Sequence, residues 1–330
     1  MSLSEKLKTY LQEGIIDQKA ADLITYFYSN YSESLLAHGG DSKEISTFLD
    51  RYLSYCIEAI QAPYSFENCH KALSEPIDYV AFARDFVRPL MAPESSFTGI
   101  EAVKKMDAQL KAGENVVFVA NHQSEPDPQI ISLLLKDLSP KIANETYMVA
   151  GHRVTTDPMA IPFSLGTNLL CIYSKKHIEN PPEEKANKQR YNQKTMGVMK
   201  ELLSKGGTCI YIALSGGRDR MDENGEIRVE DFDPQSTEML LLTARRSNKP
   251  THFYPLSLFS YHLMPPPKTL QKNLGEWRTA NVTPVKAAFG DEIDIEDFPG
   301  NDLSDKVERR QARAKHFWSL VKKNYDRICI

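Results

Sequence analysis

Apolar residues fall into two regimes along this chain. Up to about residue 75 they recur at helical spacing. Ile45, Phe48, Leu49, Tyr52, Leu53, Cys56 and Ile60 form one stripe, with Asp41 and Glu44 placed to cap its start. A looser stripe runs from Gln18 to Leu36 and stops at Gly39-Gly40, so a small helical bundle is expected over residues 1–76. From Ile77 an amphipathic segment runs to about Pro89. Beyond it, short β-branched and apolar runs alternate with helical windows, which predicts an α/β domain over 77–330. The runs predict strands at 116–120, 147–150, 169–173, 208–214 and 253–258, and helices at 129–138, 184–203 and 236–246. A last amphipathic helix over 303–325 is expected to bury Val307, Ala314, Phe317, Trp318 and Val321. The fold class is therefore α/β: a mixed sheet flanked by helices, with a small N-terminal helical bundle domain.

At 330 residues the chain can bury a substantial core. A formal charge of -4 and a pI near 6.1 argue against nucleic acid as the principal partner. The five cysteines show neither a C-x-x-C pair nor a compact cluster with histidine, so structural zinc is not expected. The N-terminus lacks a basic region followed by an apolar signal core, and no apolar run approaches the ~18–20 residues of a membrane span. The expectation is a soluble intracellular protein, compatible with transient membrane contact.

The chemistry concentrates after the run Asn115 to Ala120, which delivers Asn121-His122-Gln123-Ser124-Glu125-Pro126-Asp127-Pro128 to a strand end. A carboxylate that accepts one imidazole N–H fixes the tautomer and stabilises the imidazolium, so His122 and Asp127 suit a general-base pair for acyl transfer to a hydroxyl. Spacing alone is a weak warrant, because His152 and Asp157 repeat the interval, with Arg153 beside them as a further pocket candidate. Ser124 and Ser215 lie outside a G-x-S-x-G elbow, which disfavours a covalent serine mechanism. Glu125 reads as solvent-facing or structural, and His70, His252 and His262 as packing or surface residues.

Two further strand ends carry cations. Ser215-Gly216-Gly217-Arg218-Asp219-Arg220 combines a glycine turn with two guanidiniums, a pattern suited to binding an anion; a surface charge cluster fits it equally. Ser174-Lys175-Lys176-His177 ends another strand. There Lys175 reads as solvated, whereas Lys176 and His177 suit a substrate phosphate. Lys185, Lys188, Arg190 and Lys194 read as a solvated helix face. Two other functions use the same residues: a metal-assisted phosphoester hydrolase with His122 and Asp127 as ligands, and a non-catalytic phosphate or lipid sensor.

His70-Lys71-Ala72 with Glu75-Pro76 and Asp78-Tyr79, then Arg88-Pro89-Leu90, 121–128, 166–177, 215–220 and Phe253-Tyr254-Pro255-Leu256 together resemble the soluble plastid-type glycerol-3-phosphate 1-O-acyltransferases. These belong to the H-x₄-D glycerolipid acyltransferases. The resemblance covers most of the chain in order and spacing. It implies a helical N-terminal domain, a larger acyltransferase domain, glycerol 3-phosphate as acceptor and a fatty-acyl thioester as donor, with acyl carrier protein favoured over coenzyme A. Carried over by motif position, His122 is the general base, Asp127 its orienting carboxylate, and Lys176, His177, Arg218 and Arg220 the phosphate-binding group. No metal or organic cofactor is implied. Membrane-bound relatives that acylate lysophosphatidate usually carry an F-P-E-G-T-R-like block where this chain has Leu214 to Arg220, which favours the soluble branch. Without an apparent transit peptide, the expected compartment is a bacterial cytoplasm or, as a mature form, the plastid stroma.

Overall fold

The computed structural model describes residues 2–267 and 276–329. In chain order the elements begin α1 (Leu3–Gln12), α2 (Gln18–Ala37), α3 (Ser42–Gln61), β1 (Cys69–His70), α4 (Tyr79–Val87), β2 (Ser96–Thr98) and α5 (Ile100–Lys111). There follow β3 (Asn115–Ala120), α6 (Asp127–Leu135), α7 (Pro140–Glu145), β4 (Tyr147–Gly151), α8 (Ile161–Leu165), β5 (Leu169–Ile172), α9 (Lys175–Ile178) and α10 (Lys185–Lys205). The chain closes with β6 (Cys209–Ala213), β7 (Arg220–Met221), β8 (Ile227–Arg228), α11 (Pro234–Arg245), β9 (Thr251–Phe259), β10 (Lys286–Phe289) and α12 (Lys306–Ile328).

Among the described residues one sheet of eight strands runs in the order β1-β5-β4-β6-β3-β9-β10-β2. Its middle five strands, β5, β4, β6, β3 and β9, are mutually parallel. These are the five strands read from the sequence, because a parallel strand covered on both faces is an uninterrupted apolar run. Every residue of β3 is buried. Period-two alternation divides it: Val116, Phe118 and Ala120 face a layer made by α5, α6 and α7. Val117 and Val119 face α10, α11 and α12. The edge strands β1 and β2, and β10 between β9 and β2, carried no such signal. They are two to four residues long, and β2 is half-exposed.

The first three helices share an aromatic core with later elements. Tyr31 stacks on Phe86 of α4 with centroids 5.0 Å apart, and Tyr52 meets Phe163 of α8 at 5.3 Å. Asp41 caps α3 by accepting from the amides of Lys43 and Glu44. One detail of α12 departs from expectation. Val307 is 59% exposed, because it lies in the helix's first turn, before the stripe of Ala314, Phe317 and Val321 reaches the sheet. Among the described residues no helix is long and apolar enough to cross a membrane.

The parallel arrangement decides the site. The C-terminal ends of the five central strands open on one side of the sheet, where crevices between loops form ligand sites in such folds. They deliver His122, His152, Ser174 to His177, Ser215 to Arg220, and Ser260 respectively from β3, β4, β5, β6 and β9.

Candidate active site

His122 follows β3 and Asp127 opens α6, where the helix N-terminus favours a carboxylate. Pro126 and Pro128 bracket the aspartate, so the chain turns sharply into the helix. Asp127 Oδ2 lies 2.8 Å from His122 Nδ1 and also accepts the Gln123 amide at 2.9 Å. Its Oδ1 accepts the hydroxyls of Ser124 at 3.0 Å and Ser260 at 2.6 Å. Burial by itself raises the Asp127 carboxyl, but the hydrogen bond and charge of His122, with the Ser260 hydroxyl and the Gln123 amide, hold it below its ordinary value. The carboxylate is fully buried while the imidazole is 29% exposed, so Nε2 is the ring nitrogen left to meet a substrate. An acceptor on Nδ1 fixes the tautomer that leaves the Nε2 lone pair free to take a hydroxyl proton.

A second buried carboxylate braces this loop. Asp219 Oδ2 accepts the side-chain amides of Asn121 at 2.8 Å and Gln123 at 3.2 Å, and its Oδ1 accepts the Glu230 amide at 3.1 Å. The Asp219 backbone N–H donates to the His122 carbonyl at 2.6 Å. Burial pushes Asp219 up to about 6, against the opposing pull of these donors. The two amides also hold β9: Asn121 exchanges hydrogen bonds with Leu258, and Gln123 Oε1 accepts the Ser260 and Tyr261 amides at 2.8 and 3.0 Å. Gly216 allows β6 to turn into this loop, since its φ of +70° suits glycine.

Arg218 and Arg220 flank Asp219. Arg218 donates to Glu276 at 2.5 Å and lies 3.8 Å from Glu125; Arg220 donates to the Pro267 carbonyl. Glu125 proves to be structural. It takes two hydrogen bonds from Arg278, at 2.7 and 3.1 Å, and Arg278 also reaches Asp157 at 3.0 Å. Burial works against the Glu125 charge, yet Arg278 and Arg218 hold its carboxyl at about 2. Of the two equal intervals only that of His122 and Asp127 is joined by a hydrogen bond, because Asp157 serves Arg278 and the Met159 amide. His152 Nδ1 is buried without a hydrogen-bond partner, and burial and the nearby His177, Lys188 and Arg153 lower the ring to about 4.

The end of β5 forms a separate neighbourhood. His177 Nδ1 lies 2.8 Å from Ser174 Oγ, and its ring centroid is 4.8 Å from that of His152. The side chain of Lys176 lies outside the described atoms. Lys175 is exposed and pairs with Asp233 at 2.6 Å, as a solvated lysine can. Lys188 departs from the solvated face expected for α10: it is buried and donates to the carbonyls of His177 at 3.2 Å and Asn180 at 2.5 Å. In the sheet, β4 separates β5 from β6, so the bases of the two cationic ends lie roughly 10 Å apart. The four predicted phosphate residues thus fall in two groups, Arg218 with Arg220 and Lys176 with His177, on the same side of the sheet.

Sequence reading missed Ser260, Asp219, Glu276 and Arg278 as site residues. Ser260 is one hydroxyl after an apolar strand, and Glu276 and Arg278 stand in a stretch without periodicity. Asp219 stood in view between two arginines, but nothing local indicates that it points inward.

The Acyltransferase family model matches residues 96–258, a span from β2 into β9 that encloses His122, Asp127 and the Ser215 to Arg220 turn. Over 328 residues the chain is 34% identical to the chloroplastic glycerol-3-phosphate acyltransferase of Arabidopsis thaliana, covering 97% of this chain and 70% of that protein. The corresponding protein of Spinacia oleracea is 33% identical over 328 residues, with 98% of this chain and 69% of that one covered. A chloroplastic glycerol-3-phosphate acyltransferase of Cucurbita moschata is 35% identical over 334 residues, covering 98% and 74%. A likeness of this extent takes in nearly the whole chain, and it places the chain in the family of the chloroplastic glycerol-3-phosphate acyltransferases.

Proposed function

We propose that this acyltransferase moves a fatty-acyl group from an acyl thioester, acyl carrier protein being favoured over coenzyme A, to the sn-1 hydroxyl of glycerol 3-phosphate. The observation that carries the mechanism is the His122–Asp127 pair: an imidazole open to solvent on one side and held on the other by a fully buried carboxylate. Nε2 of His122 takes the proton of the C1 hydroxyl as its oxygen attacks the thioester carbonyl. The tetrahedral intermediate then expels the sulfur, which recovers that proton, and no acyl-enzyme forms. Lys176, His177, Arg218 and Arg220 hold the phosphate, so that binding energy is converted into orientation of the hydroxyl. The roughly 10 Å between the two cationic strand ends is a span that long lysine and arginine side chains can close over one phosphate. Arg218 must then exchange Glu276 for the phosphate.

The deciding experiment is thioester release with glycerol 3-phosphate, run with acyl-carrier-protein and coenzyme A donors beside His122→Ala. Acceptor-dependent release by wild type and its loss in the variant are expected, and the donor that supports release is thereby named. Binding of glycerol 3-phosphate without release from either donor favours the sensor reading instead.

A further inference from the structure

Arg218, Asp219 and Arg220 are consecutive, yet they serve different partners. The aspartate is fully buried against the amides that flank His122, while the arginines on either side reach Glu276, Glu125 and the Pro267 carbonyl. Three bonds therefore join the residue between the arginines to the loop of the general base: Asn121 to Oδ2, Gln123 to Oδ2, and the Asp219 N–H to the His122 carbonyl. A fourth, from the Glu230 amide, holds the carboxylate's other oxygen, Oδ1. The amides have no spare freedom. Their oxygens are committed to the backbone of β9 and of Ser260 and Tyr261, so neither can turn over without losing those bonds.

We propose that Asp219 is a positioning residue that sets the reach between His122 and the phosphate-binding arginines, so that a phosphate held by Arg218 and Arg220 presents its hydroxyl to Nε2. The proposal deepens the function proposed above and rests on it. Its physical basis is that a misplacement of about 1 Å between reacting groups costs on the order of 10²-fold in rate. Burial opposes the ionised form of this carboxyl, so stability alone gives little reason to keep an acid there. Asparagine has the same shape but offers one acceptor atom fewer. It must leave either the Asn121 and Gln123 amides or the Glu230 amide facing a donor.

The test is a double-mutant cycle on the full chain, with glycerol 3-phosphate and whichever thioester wild type turns over: wild type, Asp219→Asn, Arg218→Ala and the double variant, each with its melting temperature. Asp219→Asn is expected to lower kcat about 10- to 100-fold, with KM within about threefold and the protein fully folded at the assay temperature despite the small fall in melting temperature that a buried donor facing a donor brings. In the Arg218→Ala background it is expected to cost several-fold less than in wild type, because one of the two arginines whose placement it sets is already gone. Losses that multiply in the double variant, a wild-type kcat in Asp219→Asn, or a fall in activity that only tracks a lower melting temperature overturn the proposal. Should Asp219→Asn fail to fold, Asp219→Ser is read by the same criteria. The wild-type arm alone tests the underlying reading: without release that depends on glycerol 3-phosphate, both fall together.

Discussion

Replacing Asp127 by asparagine isolates the charge of the buried carboxylate from its shape. In the native site Oδ2 takes His122 Nδ1 and the Gln123 amide, and Oδ1 takes two hydroxyls, from Ser124 and Ser260. A backbone amide can only donate, whereas hydroxyls can turn to accept, so asparagine settles with its oxygen toward His122 and its NH₂ toward the serines. The hydrogen-bond pattern, and with it the His122 tautomer, then survives; the negative charge does not. With Nδ1 and Oδ2 2.8 Å apart, the charge centres of the ion pair formed on proton transfer lie roughly 4 Å apart, worth about 4 kcal/mol at an effective dielectric constant of ~20. At about 1.4 kcal/mol per decade, kcat falls about 10³-fold. The acceptor KM stays within about threefold, since Asp127 does not touch phosphate in the proposed reaction. The assay is steady-state thioester release at saturating donor, with far-UV dichroism to show an intact fold. A kcat within about threefold of wild type refutes the general-base assignment.

Ser260→Ala removes one donor to Asp127 and leaves His122, the Gln123 and Ser124 amides and the Ser124 hydroxyl in place, so a loss of about 3- to 30-fold in kcat at unchanged acceptor KM is expected from the same assay. Arg278→Met strips buried Asp157 of its cation and leaves Glu125 with the more distant Arg218, at 3.8 Å. That breakage typically costs about 3–5 kcal/mol, or roughly 4–7 °C at this chain length, and a melting temperature within about 1 °C of wild type contradicts the described network. For pH, Asp219 has its folded pKa, about 6, raised above the ordinary 3.8. The folded state binds the proton more tightly, so stability is gained as pH falls through 6 and is greatest below the unfolded value. Between pH 8 and pH 5 wild type should gain about 1.4 kcal/mol relative to Asp219→Asn in denaturant melts; parallel profiles for the two proteins count against a perturbed Asp219.

Much of the framework is legible in the chain itself. The central strands were readable because each is buried on both faces and must therefore be apolar at successive positions, and the helices because their covered stripes repeat every three to four residues. The strand run into Asn121-His122 also indicated that His122 stands at the C-terminal end of a central strand. Local pattern could not choose between His122–Asp127 and His152–Asp157, which share one interval. In the fold Arg278, 121 residues beyond Asp157, claims that carboxylate, and only His122 and Asp127 are hydrogen-bonded to each other. Nor could it show that Asp219 turns inward between two arginines, or that Ser260 reaches Asp127 from the end of the neighbouring strand β9. Periodicity encodes which face of an element is buried, because that depends on near neighbours along the chain. Which distant charge meets which depends on strand order and loop approach, and these exist only once the sheet has assembled.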